Sequence, residues 1–99
     1  MKIDVGRKIA LAVDANWYRA LQGHRFLKGG NQNTESPTDL MIATIESLEE
    51  PGGMWVKPDE RFSDFSKSPL FIPWIYVWSA VFLGPDEDKK LAGFRSSMT

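Results

Sequence analysis

Cysteine is absent from this chain of 99 residues, and histidine occurs once, as His24. Without a thiol there is no disulfide framework, no zinc finger and no cysteine nucleophile, and a reducing cytosol suits such a chain. A zinc site would have to join His24 to carboxylates, because no second histidine lies a helical turn away. No serine stands in a Gly-x-Ser-x-Gly elbow. The double glycines Gly29–Gly30 and Gly52–Gly53 are not followed by the lysine and hydroxyl residue of a phosphate-binding loop. The acidic run Asp86–Asp88 starts like a calcium loop, yet Lys90 takes the next ligand position and the later bidentate acid is missing. Paired acids such as Glu49 and Glu50 diverge when neighbours on a helix. The expectation is a protein that is not an enzyme and carries no cofactor or metal.

A secretory leader is also missing, since Asp4, Arg7, Lys8 and Asp14 interrupt the first apolar residues. A cytoplasmic protein is expected.

What the chain does have is apolar mass. Hydrophobic residues make up 42% and aromatic residues 12%, with four tryptophans, which excludes a disordered composition. The length suits one domain, 1–99. Charge is uneven: the net is +4 over Met1–Gly30, −6 over Asn31–Phe65 and +1 beyond. Such a division marks either two partner surfaces or two elements that attract each other.

On a helical wheel, Ile9, Ala10, Val13, Asn16, Trp17, Ala20, His24 and Leu27 fall in one stripe, and Arg7, Leu11, Asp14, Tyr18, Gln22 and Arg25 in the opposite one. This predicts a helix over Val5–Lys28, capped by Asp4, stopped by Gly29–Gly30 and weakened at Gly23, where it kinks or ends early. Ser36 as N-cap, Pro37 at the first position and Asp39 beyond it predict a second helix. Met41, Thr44, Ile45 and Leu48 give it a face, and Pro51–Gly53 end it. Met54–Ser68 reads as an irregular connector, extended at Met54–Val56, with a short helix after Pro58 that carries Phe62 and Phe65.

Ser68–Pro85 contains no charge, which raises the question of a membrane span. Pro73 within it, aromatics at its middle and the absence of a basic flank argue against one. A buried element is preferred: a helix over Pro73–Leu83, with a strand through Ile75–Trp78 as the alternative that periodicity cannot separate. The helix is favoured because no comparable second strand offers itself as a partner. Asp86–Met98, with acids first and lysines after, predicts a closing helix. The sum is an all-α fold: a small single-domain bundle of about four helices with an irregular, aromatic-containing connector.

The aromatics exceed what so small a core needs, and interfaces favour aromatic side chains and arginine. The expected function is a non-enzymatic protein-binding module, of the kind found among small phage and mobile-element accessory proteins. It would dock on a larger protein or protein–nucleic-acid assembly and inhibit it sterically. Arg7, Tyr18, Arg19 and Arg25 would meet acidic or phosphate-lined surface, while Trp55 and Phe62 would supply apolar anchors. Two alternatives remain. One is direct nucleic-acid binding through the basic first helix. The other is a structural subunit or homodimer that buries its aromatics against itself.

Overall fold

The computed structural model describes residues 5–30 and 35–84. The elements run β1 (Lys8–Asp14), α1 (Ala15–Gly23), β2 (Thr38–Ser47), β3 (Gly53–Pro58), β4 (Leu70–Pro73), a 3-10 turn (Trp74–Tyr76) and β5 (Val77–Phe82). The strands form one sheet in the order β4-β3-β2-β1-β5, and every neighbouring pair is antiparallel. The expected all-α bundle is therefore wrong. Among the described residues there is one α-helix, of nine residues.

The correction has a physical cause in each segment. In β1, Ile9, Leu11 and Val13 alternate with period two, and all three are buried. The wheel had divided them, sending Leu11 to the polar stripe, although Leu11 is completely inaccessible. In β2, Met41, Ile42, Ala43 and Ile45 are buried on both faces of the sheet, so the apolar run lost its alternation. Its three- and four-residue spacings were incidental. Ser36 does not cap a helix: its Oγ donates to the Thr38 carbonyl (2.8 Å) and accepts from the Thr38 N–H (3.4 Å), turning the chain into β2. Pro73–Leu83 is a 3-10 turn and a strand, and the partner that strand lacked is β1, itself misread as helix. The closing helix expected over Asp86–Met98, and the Asp4 cap, lie outside the described residues.

β4 and β5 occupy opposite edges of the sheet, yet only Trp74–Tyr76 separates them in sequence. Four Cα–Cα steps span at most about 15 Å. Five strands laid flat would hold their outer members about 19 Å apart. The sheet therefore coils into a partly closed barrel. Two irregularities assist: β5 carries Trp78 as an extra residue opposite Ala12 and Val13, and β2 carries Glu46 as an extra residue opposite β3. Bulges of this kind raise local twist. The concave face holds Leu11, Val13, Met41, Ile45, Met54, Val56 and Ile72, all essentially inaccessible.

α1 follows β1 directly. Asp14 Oδ1 accepts the Trp17 N–H at 3.0 Å and satisfies one of the orphan donors of the first turn. The helix stops well before Lys28. Phe26 N–H donates to the Leu21 carbonyl and Arg25 N–H to the Gln22 carbonyl, both at 2.9 Å, which is the Schellman pattern. Arg25 occupies the left-handed position of that motif, with φ of 64°. The early end flagged at Gly23 is thus found, one residue before the C-cap His24.

Two loops are sewn together beside the helix. Lys28 N–H donates to the Phe62 carbonyl (2.8 Å), Ser63 Oγ to the Phe26 carbonyl (2.7 Å), and the Tyr18 hydroxyl to the Lys28 carbonyl. Leu27 and Phe62 are buried between them. The connector between β3 and β4 is in this way fixed to the end of α1. No helix among the described residues is long and apolar enough to cross a membrane.

Candidate functional site

The structure scatters the six residues singled out from sequence. Tyr18 is wholly inaccessible and Phe62 is 3% exposed, so both belong to the core and present no surface. Arg7 precedes β1 at one end of that strand. Arg19 and Arg25 lie beyond its other end, on α1 and at its C-terminal cap. Seven residues of strand, roughly 23 Å at the usual rise, separate the two groups. The basic face that a continuous first helix would have carried does not exist. Arg19 is exposed and donates to Asn16 Oδ1 at 3.2 Å. Trp55 is on β3, partly exposed, with its ring centroid 5.1 Å from that of Phe71 on β4. That pair is on the opposite side of the strand order from Arg7, whose guanidinium lies over the Phe82 ring of β5.

Polar clusters among the described residues are structural. Asp59 accepts from Arg61 Nε (2.7 Å) and from the Arg61 backbone N–H (3.0 Å), with Lys8 Nζ at 4.0 Å. Burial opposes its charge, but these hydrogen bonds and the two cations outweigh that, and its pKa lies below the ordinary value. No group of three metal-ligating side chains occurs among the described residues. A depression of about 260 Å³ is lined by Phe26, Pro58, Ser63, Phe65, Pro69 and Leu70, among others. Ser63 is already engaged, donating to Phe26 and accepting from the Phe65 N–H at 2.9 Å. Such a lining accommodates an apolar side chain and supplies no acid, base or nucleophile.

The feature that sequence reasoning missed is β5. It closes one edge of the sheet, and its side chains are exposed almost throughout: Trp78 at 58%, Val81 at 55%, Phe82 at 37%. The preceding turn adds Trp74 and Ile75, the latter 82% exposed. Leu83 N–H donates to the Lys8 carbonyl at 3.1 Å. Because backbone groups alternate along a strand, Val81 and Ser79 also turn theirs towards β1, paired with Ala10 and Ala12. Ala80 and Phe82 therefore direct their N–H and C=O groups to the open side.

The two edges of the sheet differ in kind. β4 has four residues, is half-buried and ends in Pro73, three features that discourage strand addition. β5 has six residues, no proline and no glycine, and no charged side chain occurs from Ser68 to Gly84. It is also held firmly. Tyr76 stacks on Trp17 of α1 with centroids 5.6 Å apart, and Trp74 N–H donates to the Gly52 carbonyl at 3.0 Å. The signal in the sequence was the β-branched and aromatic content of "IYVWSAVF", which the search for a helical partner set aside.

Neither family models, nor curated proteins, nor solved structures give a match to this chain.

Proposed function

We propose that this chain is a non-enzymatic protein-binding module of the cytoplasm, an inhibitor that captures an extended segment of a larger protein against β5. The observation that supports the reading is the uncharged, aromatic edge strand, whose Ala80 and Phe82 backbone groups point outward. An incoming strand gains main-chain hydrogen bonds there, and alternate side chains set its specificity. Trp74, Ile75 and Trp78 supply apolar contact beside that ladder. A partner segment held in this way is withheld from its own assembly, which is a steric block. Arg7, over Phe82, gives the edge its one flanking cation among these contacts and favours an acidic neighbour in the incoming segment.

The test is capture from nuclease-treated lysate of the native cell, comparing the wild-type chain with Val81→Lys, a change on an exposed side chain. The expected result is one stoichiometric protein on the wild type, reduced at least tenfold on the variant, whose activity falls when titrated with the wild-type chain. Retention that the variant does not alter, or nucleic acid alone lost on digestion, would reject the reading.

A further inference from the structure

We infer that, without its partner, β5 pairs antiparallel with β5 of a second copy about a twofold axis through Ala80. This rests on the reading that the outer side of β5 is an open docking edge, and it adds how that edge is regulated: self-pairing covers it until a partner competes.

The occupant follows from the strand itself. Unprotected edges associate with one another, and proteins suppress this with lysine, proline or a short strand. β4 has the short strand and the proline, whereas β5 has none of these devices. Nothing charged on β5 would be set against its own image, so a copy of the chain meets no repulsion.

The register is also determined. Outward-facing residues must oppose outward-facing residues in an antiparallel ladder. Ala80 and Phe82 face outward. A twofold axis at Ala80 places the two Ala80 residues opposite each other and sets Phe82 of each copy against Trp78 of the other. Those are two aromatic cross-strand pairs, among the most favourable a sheet can make. Ser79 then faces Val81. An axis between residues would oppose outward to inward backbone groups and form no ladder.

The area is sufficient. Large aromatic side chains bury about 150–250 Å² each. With the exposed fractions of Trp74, Ile75, Trp78, Val81 and Phe82, each copy offers on the order of 500 Å². A symmetric pair thus reaches about 1,000 Å², the scale at which specific interfaces begin.

Three readouts on the full chain decide it. Sedimentation over a concentration series should show a monomer–dimer equilibrium. The chain has no cysteine, so Ala80→Cys introduces a single thiol at the axis. Opposed hydrogen-bonded residues lie about 5.5 Å apart at Cα, within disulfide range. Ala80→Cys should oxidise to a covalent dimer and Val81→Cys, offset from its own image, should not. Amide exchange at Ala80 and Phe82 should accelerate at least tenfold on dilution, while Val81, bonded to β1, stays slow. A wild-type monomer at every concentration, with fast exchange at Ala80 and Phe82, overturns self-pairing and leaves the open edge standing. A monomer in which those two amides are slow overturns both, since the edge is then covered from within. Cross-linking at Val81→Cys in preference to Ala80→Cys overturns the register.

Discussion

The guanidinium carbon of Arg7 lies 4.7 Å from the centroid of the Phe82 ring, joining the residue just before β1 to the end of β5. An exposed contact of this kind is worth about 0.5–1 kcal/mol. Arg7→Ala should lower unfolding free energy by that amount, and in a double-mutant cycle with Phe82→Leu the coupling should account for most of it. Denaturant melts with unchanged slope would check this. Because β5 is held to the sheet by β1 alone, the loss should appear first as faster exchange of the β5 amides.

Arg25 stands where a helix C-terminus prefers glycine. Its φ of 64° costs a residue with a Cβ about 1–2 kcal/mol. Arg25→Gly should therefore stabilise the protein by about 1 kcal/mol, less what glycine loses in the unfolded chain. The chain was expected to use Arg25 as a partner contact. If partner capture survives Arg25→Gly while the melting temperature rises, the residue is a cap and nothing more.

Gly53 opens β3 where β4 comes closest. A Cβ there would sit 2.3 Å from the Ile72 carbonyl oxygen and 2.7 Å from Phe71 Cζ. Since the nearest obstacle is backbone, it cannot swing aside. Gly53→Ala should cost about 1–3 kcal/mol. Gly52→Ala, with open space around it, is the control and should change stability by about 0.5 kcal/mol or less. Thermal melts of both variants test the pair.

Asp59 has a native pKa below its value of 3.8 in an ordinary setting, through Arg61 and Lys8 against the opposing effect of burial. A depressed carboxylate contributes stability that is complete above the unfolded pKa and lost as pH falls through the folded one. Stability should thus decline as pH drops below 3.8, and Asp59→Asn should flatten that limb while lowering stability at neutral pH. Urea melts at a series of acidic pH values would register the difference.

The elements that sequence reading did resolve were punctuation. The turn through Pro51–Gly53 does end an element, Gly23 does mark the end of α1, and the extended reading of Met54–Val56 agrees with β3. What failed was period. β1 and β2 are central strands buried on both faces, as Ala10 and Ile42 show beside Leu11 and Met41. A strand of that kind loses the alternation that would distinguish it from a helix. One misreading then forced another, for with β1 taken as helix, β5 had no strand to pair with. The site was hidden for the same reason: an edge is a property of strand order, and no local pattern encodes which strand lacks a neighbour. Tyr18 and Phe62 illustrate the converse error, for aromatics that seemed surplus to a four-helix core are needed where α1 and two loops close the barrel end.

Tyr18 is where that closure is best tested. Its ring is inaccessible and its hydroxyl donates to the Lys28 carbonyl, in the loop that Lys28 and Ser63 tie to the connector. Tyr18→Phe keeps the ring volume and removes the donor, leaving a part-buried carbonyl without it. A loss of about 1–3 kcal/mol is expected, with the slope of the denaturant transition unchanged and amide exchange quickened at Lys28 and Phe65, whose N–H groups belong to the same stitch. If Tyr18 were instead a partner anchor, Tyr18→Phe would weaken capture while leaving exchange at those amides unaltered. The two outcomes separate a residue that shapes the protein from one that meets another molecule, and the inaccessible ring favours the first.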